Sequence, residues 1–220
     1  MDMILTKITH SMDCNKRDSY IYAITLMGLF TFLFLGVEYF FVNVLSHIVP
    51  EDQTVLAQNY ALGASAAGFV LYALFDHFCK DRLKEICFIL IAFLSVLCMA
   101  FIYTGTTYTA VFFAGFVLFL LLGLTGSAVF YISMCRMKTE QYLARMVGIS
   151  YALGILLQFV NNNLIRSELA ELIVLSVFLL ILIALLLKWD YCKEDKVQVN
   201  ISLSDEEGND VNGNIVGILL

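Results

Sequence analysis

Charge is scarce in this chain. Asp, Glu, Lys and Arg make up 15% of its 220 residues, 60% are hydrophobic, and mean hydropathy is +0.84. Soluble domains carry about a quarter charged residues and roughly half apolar ones, so a water-soluble fold is excluded. Histidine is scarcer still, with only His10, His47 and His77. That leaves no base for a membrane-embedded serine nucleophile. The six cysteines follow no zinc-ligand spacing, and no glycine-rich loop is present to cradle a phosphate. The expectation is therefore a protein that is not an enzyme and holds no metal or cofactor. Proline is nearly absent too: Pro50 stands alone.

Long stretches without charge fill the space that these absences leave. A helix needs about 20 mostly apolar residues to cross a hydrocarbon core about 30 Å thick. Residues 19–37 are charge-free, Glu38 interrupts, and the apolar run resumes to Pro50. Further runs cover 53–75, 86–135, 146–165 and 172–187, and the 50-residue run suits two helices joined at Tyr103–Tyr108. The fold class predicted is an all-α membrane protein of six transmembrane helices, at about 20–49, 54–75, 85–103, 108–135, 146–164 and 169–187. Residues 1–18 read as a polar lead and 188–214 as a hydrophilic acidic linker. The apolar run 215–220 reads either as the start of a seventh helix or as a greasy tail. The first helix is too long for a secretory signal, and no cleavage pattern follows it.

Basic residues are missing from alternate loops, and this sets the orientation. Twelve of the 13 Lys and Arg fall in the N-terminal segment, the second and fourth loops and the tail. The first and third loops have none, and the fifth has only Arg166. Basic residues of short loops stay on the cytoplasmic side, so both termini are expected inside the cell, with the chain in the cell membrane. These clusters are positional rather than nucleic-acid binding, and the cysteines read as free thiols.

Glu38 is read as the only ionisable residue well inside a span, with no second buried acid to form a dyad. Such a group costs a few kcal/mol and normally faces a cavity or partner, marking an ion or proton path. The plain alternative is a carboxyl hydrogen-bonded to a neighbouring helix for packing. Asn43, Gln58, Asn59, Gln158 and the Asn161–Asn163 run lie in the outward halves of helices one, two and five. They line a polar vestibule or sit at headgroup level, with Gln58 and Gln158 the deeper candidates. Small residues at helical spacing let backbones approach closely: Ala64 with Gly68, Ala61 with Ser65, Gly148 with Ala152. On helix four Gly115, Gly123 and Gly126 accompany Thr125 and Ser127, suiting either tight packing or a substrate resting where side chains are missing. Tyr60-Ala61-Leu62-Gly63 recurs as Tyr151-Ala152-Leu153-Gly154, an offset of 91 residues. That echo suggests two related triplets of helices, inserted with opposite orientation, as transporters are often built.

The loop after helix two reads Asp76-His77-Phe78-Cys79-Lys80-Asp81-Arg82. Six helices, this short charged turn, a glycine-rich helix four and Arg145-Met146-Val147-Gly148 entering helix five together resemble the N-terminal half of a major facilitator superfamily transporter. The family's loop-two pattern is Gly-x-Leu-x-Asp-Arg-x-Gly-Arg-Arg; Leu74 and Asp76 match it, while Tyr72, His77 and Cys79 depart from it. The resemblance implies a secondary transporter half moving a small solute by alternating access, as a symporter or antiporter. It implies Glu38, Asn43, Gln58, Thr125, Ser127 and Gln158 along the proton and substrate path, and Asp76, Arg82 and Arg145 in a cytoplasmic gate. The partners implied are the lipid bilayer, a small solute and a second six-helix bundle, in the same chain beyond residue 220 or in another subunit. A sensor or anchor domain that relays a signal to a cytoplasmic domain is the competing expectation.

Overall fold

In a hydrocarbon solvent every backbone N–H and C=O must find a partner within the protein, which makes the helix the natural outcome for such apolar runs. The computed structural model describes the backbone of residues 2–78, 81–135 and 140–188, with side chains for 19–78, 83–134 and 143–187. These residues form six helices: α1 (Asp2–Ser46), α2 (Glu51–Phe78), α3 (Asp81–Thr104), α4 (Tyr108–Cys135), α5 (Glu140–Leu164) and α6 (Glu168–Lys188). All six contain a stretch long and apolar enough to span a bilayer. The chain is thus a multi-pass, all-α membrane protein. The acidic linker and residues 215–220 lie outside the described residues.

The polar lead of residues 1–18 is helical from Asp2, continuous with the first span. No proline or glycine precedes Gly28, so nothing interrupts the helix there. Pro50 ends this run. A residue before proline is pushed out of the helical region, and the chain turns through Val49 N–H to Leu45 C=O at 3.0 Å. The Pro50 carbonyl then accepts from the N–H groups of Gln53 and Thr54, starting α2. Glu51 and Asp52 in its first turn complement the helix dipole. In the same way the Ser167 carbonyl accepts from Glu171 N–H at 3.0 Å and opens α6. Glu171, in this first turn, is buried in the bundle.

The most extensive helix contacts are related by exchange between the first three helices and the last three, while the smaller contact of α1 with α2 has no equal between α4 and α5. α2 packs most extensively on α4, and α5 packs in the same way on α1. α3 lies on α4 as α6 lies on α1, and α1 meets α4 as α3 meets α6. Burial obeys the same pairing: 50% of the apolar window for both α1 and α4, 39% and 33% for α3 and α6, 28% and 22% for α2 and α5. α1 and α4 are therefore central, joined by phenyl rings such as Phe34 and Phe41 on Phe119, with centroids 5.8 and 5.7 Å apart.

The two outer interfaces rest on small residues. α2 buries Ala57, Ala61, Ala64, Ser65 and Gly68 along one stripe. A side chain at Gly123 would run into the backbone of Ser65, and one at Gly68 into that of α4 at Leu120 and Gly123. On the other side a side chain at Gly154 would meet Thr31 and the Gly28 carbonyl. The expected Gly148–Ala152 contact does not form: Gly148 has open space around it and Ala152 is exposed. Gly154 with Gly28 takes its place. The Tyr-Ala-Leu-Gly echo is also out of register with the packing. Gly154 is buried on α1 while Gly63 touches nothing, and Ser65, two residues on, is the position of α2 that meets its partner helix.

Candidate functional site

A cleft of about 400 Å³ opens on the face of α1 between α2 and α5. Glu38 stands on α1 eight residues before the helix end at Ser46, about 12 Å along the axis at 1.5 Å per residue. Gln58 reaches it from α2, donating Nε2–H to Glu38 Oε1 at 2.7 Å. Gln158 and Asn162 enter from α5, with Gln158 Nε2 donating to Asn162 Oδ1 at 2.8 Å. Tyr39 and Phe159 supply aromatic walls. Glu38 and Gln58 are half-buried, whereas Gln158 is buried against α1 beside Gly36. Its Oε1 has no hydrogen-bond partner. A side chain at Gly36 would strike Leu175 and crowd that amide, so the glycine makes the room in which Gln158 lies.

Three of the six expected path residues, Glu38, Gln58 and Gln158, thus share one cleft. The other three do not line it. Asn43 donates to Glu168 Oε1 at 3.1 Å, nearer the helix ends. Thr125 is buried and donates to the Leu121 carbonyl of its own helix at 2.9 Å. Ser127 is half-buried on α4, away from the cleft. The α4 glycines do not hold space open for a substrate. Gly115 receives the Phe41 ring, Gly126 the Phe30 ring and Gly123 the α2 backbone. In the amide run Asn161 is buried with Nδ2 unpartnered, while Asn162 and Asn163 are exposed.

Beyond the cleft, Glu168 Oε1 also lies 3.5 Å from His47 Nδ1. A second hollow of about 380 Å³ there is bounded by His47, Tyr103, Gly105 and Glu168, so the α1–α2, α3–α4 and α5–α6 turns gather at one end of the bundle. Glu171 is buried nearby in the first turn of α6, with Oε1 unpartnered. It lies inside the expected sixth span, although the sequence singles out only Glu38 as an acid well within a span, and it is buried more deeply than Glu38. At the far end Asp76 forms its ion pair with Lys84 of α3, a base not included in the expected gate. Arg145 is exposed, and the side chain of Arg82 lies outside the described residues. Lys84 is buried, and its separation of eight residues from Asp76 across the α2–α3 turn was a usable signal.

Comparison with protein-family models, curated proteins and solved structures finds no match to this chain.

Proposed function

We propose that this bundle binds a small solute in the cleft at Glu38 and carries it across the membrane as part of a secondary transporter. The observation that carries the reading is the convergence of Glu38, Gln58 and Gln158, from three helices, on one cleft within the spans. A carboxyl group is expensive inside a bilayer and is kept where it meets a partner or an ion path. Among the described residues Glu38 hydrogen-bonds one amide, that of Gln58, and it faces open volume. The exchange-symmetric packing of two helix triplets supports the reading as well, since rocking of repeats about a central site is a general transport scheme.

In this reading Glu38 accepts and releases the coupling proton, and Asp76 with Lys84 closes the opposite end. Both termini face the cytoplasm of the cell membrane, as the basic loops favour, and a second six-helix bundle completes the path. The test is reconstitution of the protein in liposomes enclosing a pH-sensitive dye, followed by a panel of small solutes. A solute that drives proton movement in wild type, with Glu38→Gln silent yet equally well folded and inserted, is the expected result. Proton movement unchanged in Glu38→Gln, or absent with every solute, overturns the proposal.

A further inference from the structure

The chemistry of the cleft selects the charge of its occupant. Glu38 is the only carboxyl group in the lining, and among the described residues that lining holds no lysine, arginine or histidine. One carboxylate oxygen accepts from Gln58, while Oε2 accepts no hydrogen bond among the described residues. Gln58, Gln158 and Asn162 add amides to the lining, which donate as well as accept, and the Gln158 Oε1 is buried without a donor. A carboxylate and an amide oxygen can only accept hydrogen bonds. The remaining wall is hydrocarbon and aromatic, from Leu35, Val42, Tyr39 and Phe159. Aromatic faces attract cations through the ring quadrupole, most strongly where water is excluded. An anion here would meet the Glu38 carboxylate with no cationic side chain in the lining to offset the repulsion, and a neutral polar solute would leave the carboxylate without a counter-charge.

We infer that the cleft is a binding site for an organic cation, an amine or quaternary ammonium with an apolar body, held by Glu38 and by the rings of Tyr39 and Phe159. The ammonium sits at Glu38, and the apolar body lies along Leu35, Val42 and Phe159. This inference deepens the transport reading and rests on it for the role of the ligand, although binding itself requires no transport.

The probe is benzyltrimethylammonium, with benzenesulfonate as an aromatic anion of similar bulk, titrated calorimetrically into the purified chain in detergent. Benzyltrimethylammonium binds wild type and benzenesulfonate does not. Glu38→Gln keeps an acceptor for Gln58 and weakens binding by roughly tenfold or more, the loss of one charge-assisted contact. Phe159→Leu, with normal elution and helicity, weakens it several-fold. Equal binding of both probes, no binding of the cation, or full affinity in Glu38→Gln overturns the inference. If another solute drives proton movement while the cation fails to bind, the transport reading stands and this one falls. Cation binding without any driven proton movement leaves the site and removes the transport role.

Discussion

The interface of α2 with α4 and that of α5 with α1 are counterparts in the packing, and the chain uses them oppositely. Along α2 the buried stripe includes Ala57, Ala61, Ala64, Ser65 and Gly68; along α5 it includes Met146, Ser150, Gly154 and Gln158. The α2 stripe carries a glycine pressed on the α4 backbone, and the α5 stripe carries a buried glutamine lying over Gly36. One half has exchanged side chains for backbone contact. The other keeps an amide inside the membrane, beside the cleft. In lipid, helix association depends on van der Waals contact and interhelical polar bonds rather than on hydrophobic transfer. The first interface is therefore built for holding, and the second retains unsatisfied polar atoms at Gln158 and Asn161.

The strongest way to break the contrast is to fill the tight side. Gly123→Leu sets a side chain into the Ser65 backbone, which cannot turn away as a side chain can. We expect a loss of about 3 kcal/mol or more, read as collapse of the thermal midpoint in detergent. Gly63→Leu, at a glycine of α2 with nothing within 4 Å, leaves the midpoint unchanged.

Next in size is the ion pair that ties α2 to α3. Asp76→Ala removes one partner of a largely buried ammonium and costs about 2 kcal/mol, whereas Lys84→Ala leaves a more exposed carboxylate and costs about half that. Equal losses in both variants remove the asymmetry. On the polar side the sign reverses: Glu171→Leu eliminates a buried oxygen without a partner and raises the midpoint, by about 1 kcal/mol of stability. A fall in that midpoint shows that Glu171 is satisfied in the membrane. The smallest effect belongs to His47→Ala. Its side chain is 68% exposed and its contact with Glu168 is long, so the change stays within about 0.5 kcal/mol.

Much of the fold was legible because a bilayer demands long apolar runs, and a run broken by turn residues is visible without knowing its neighbours. The glycines of α4 were legible as packing positions, but not what fills them, since the Phe41 and Phe30 rings come from a helix far away in the chain. Glu38, Gln58 and Gln158 stood out as polar groups inside apolar runs. Thr125 stood out equally and proved to be bonded within its own helix. A hydroxyl can turn back to the preceding turn at no cost in partners, and a sequence cannot show whether it does. Glu171 escaped because it stands in the first turn of the sixth span, where a charge ordinarily reaches the headgroups, and only the packing shows that it is buried.

By itself the amino-acid sequence determined that six helices cross a membrane, because hydrocarbon tolerates only chain segments whose backbone bonds are internal and whose side chains are apolar. Tertiary structure alone decided which helices are central, which glycines are filled and which three of the polar candidates meet. Those outcomes depend on the angular position of each residue around its helix relative to partners distant in the chain, and the echo at 91 residues, out of step with the buried stripes, shows how little a local match says about that angle.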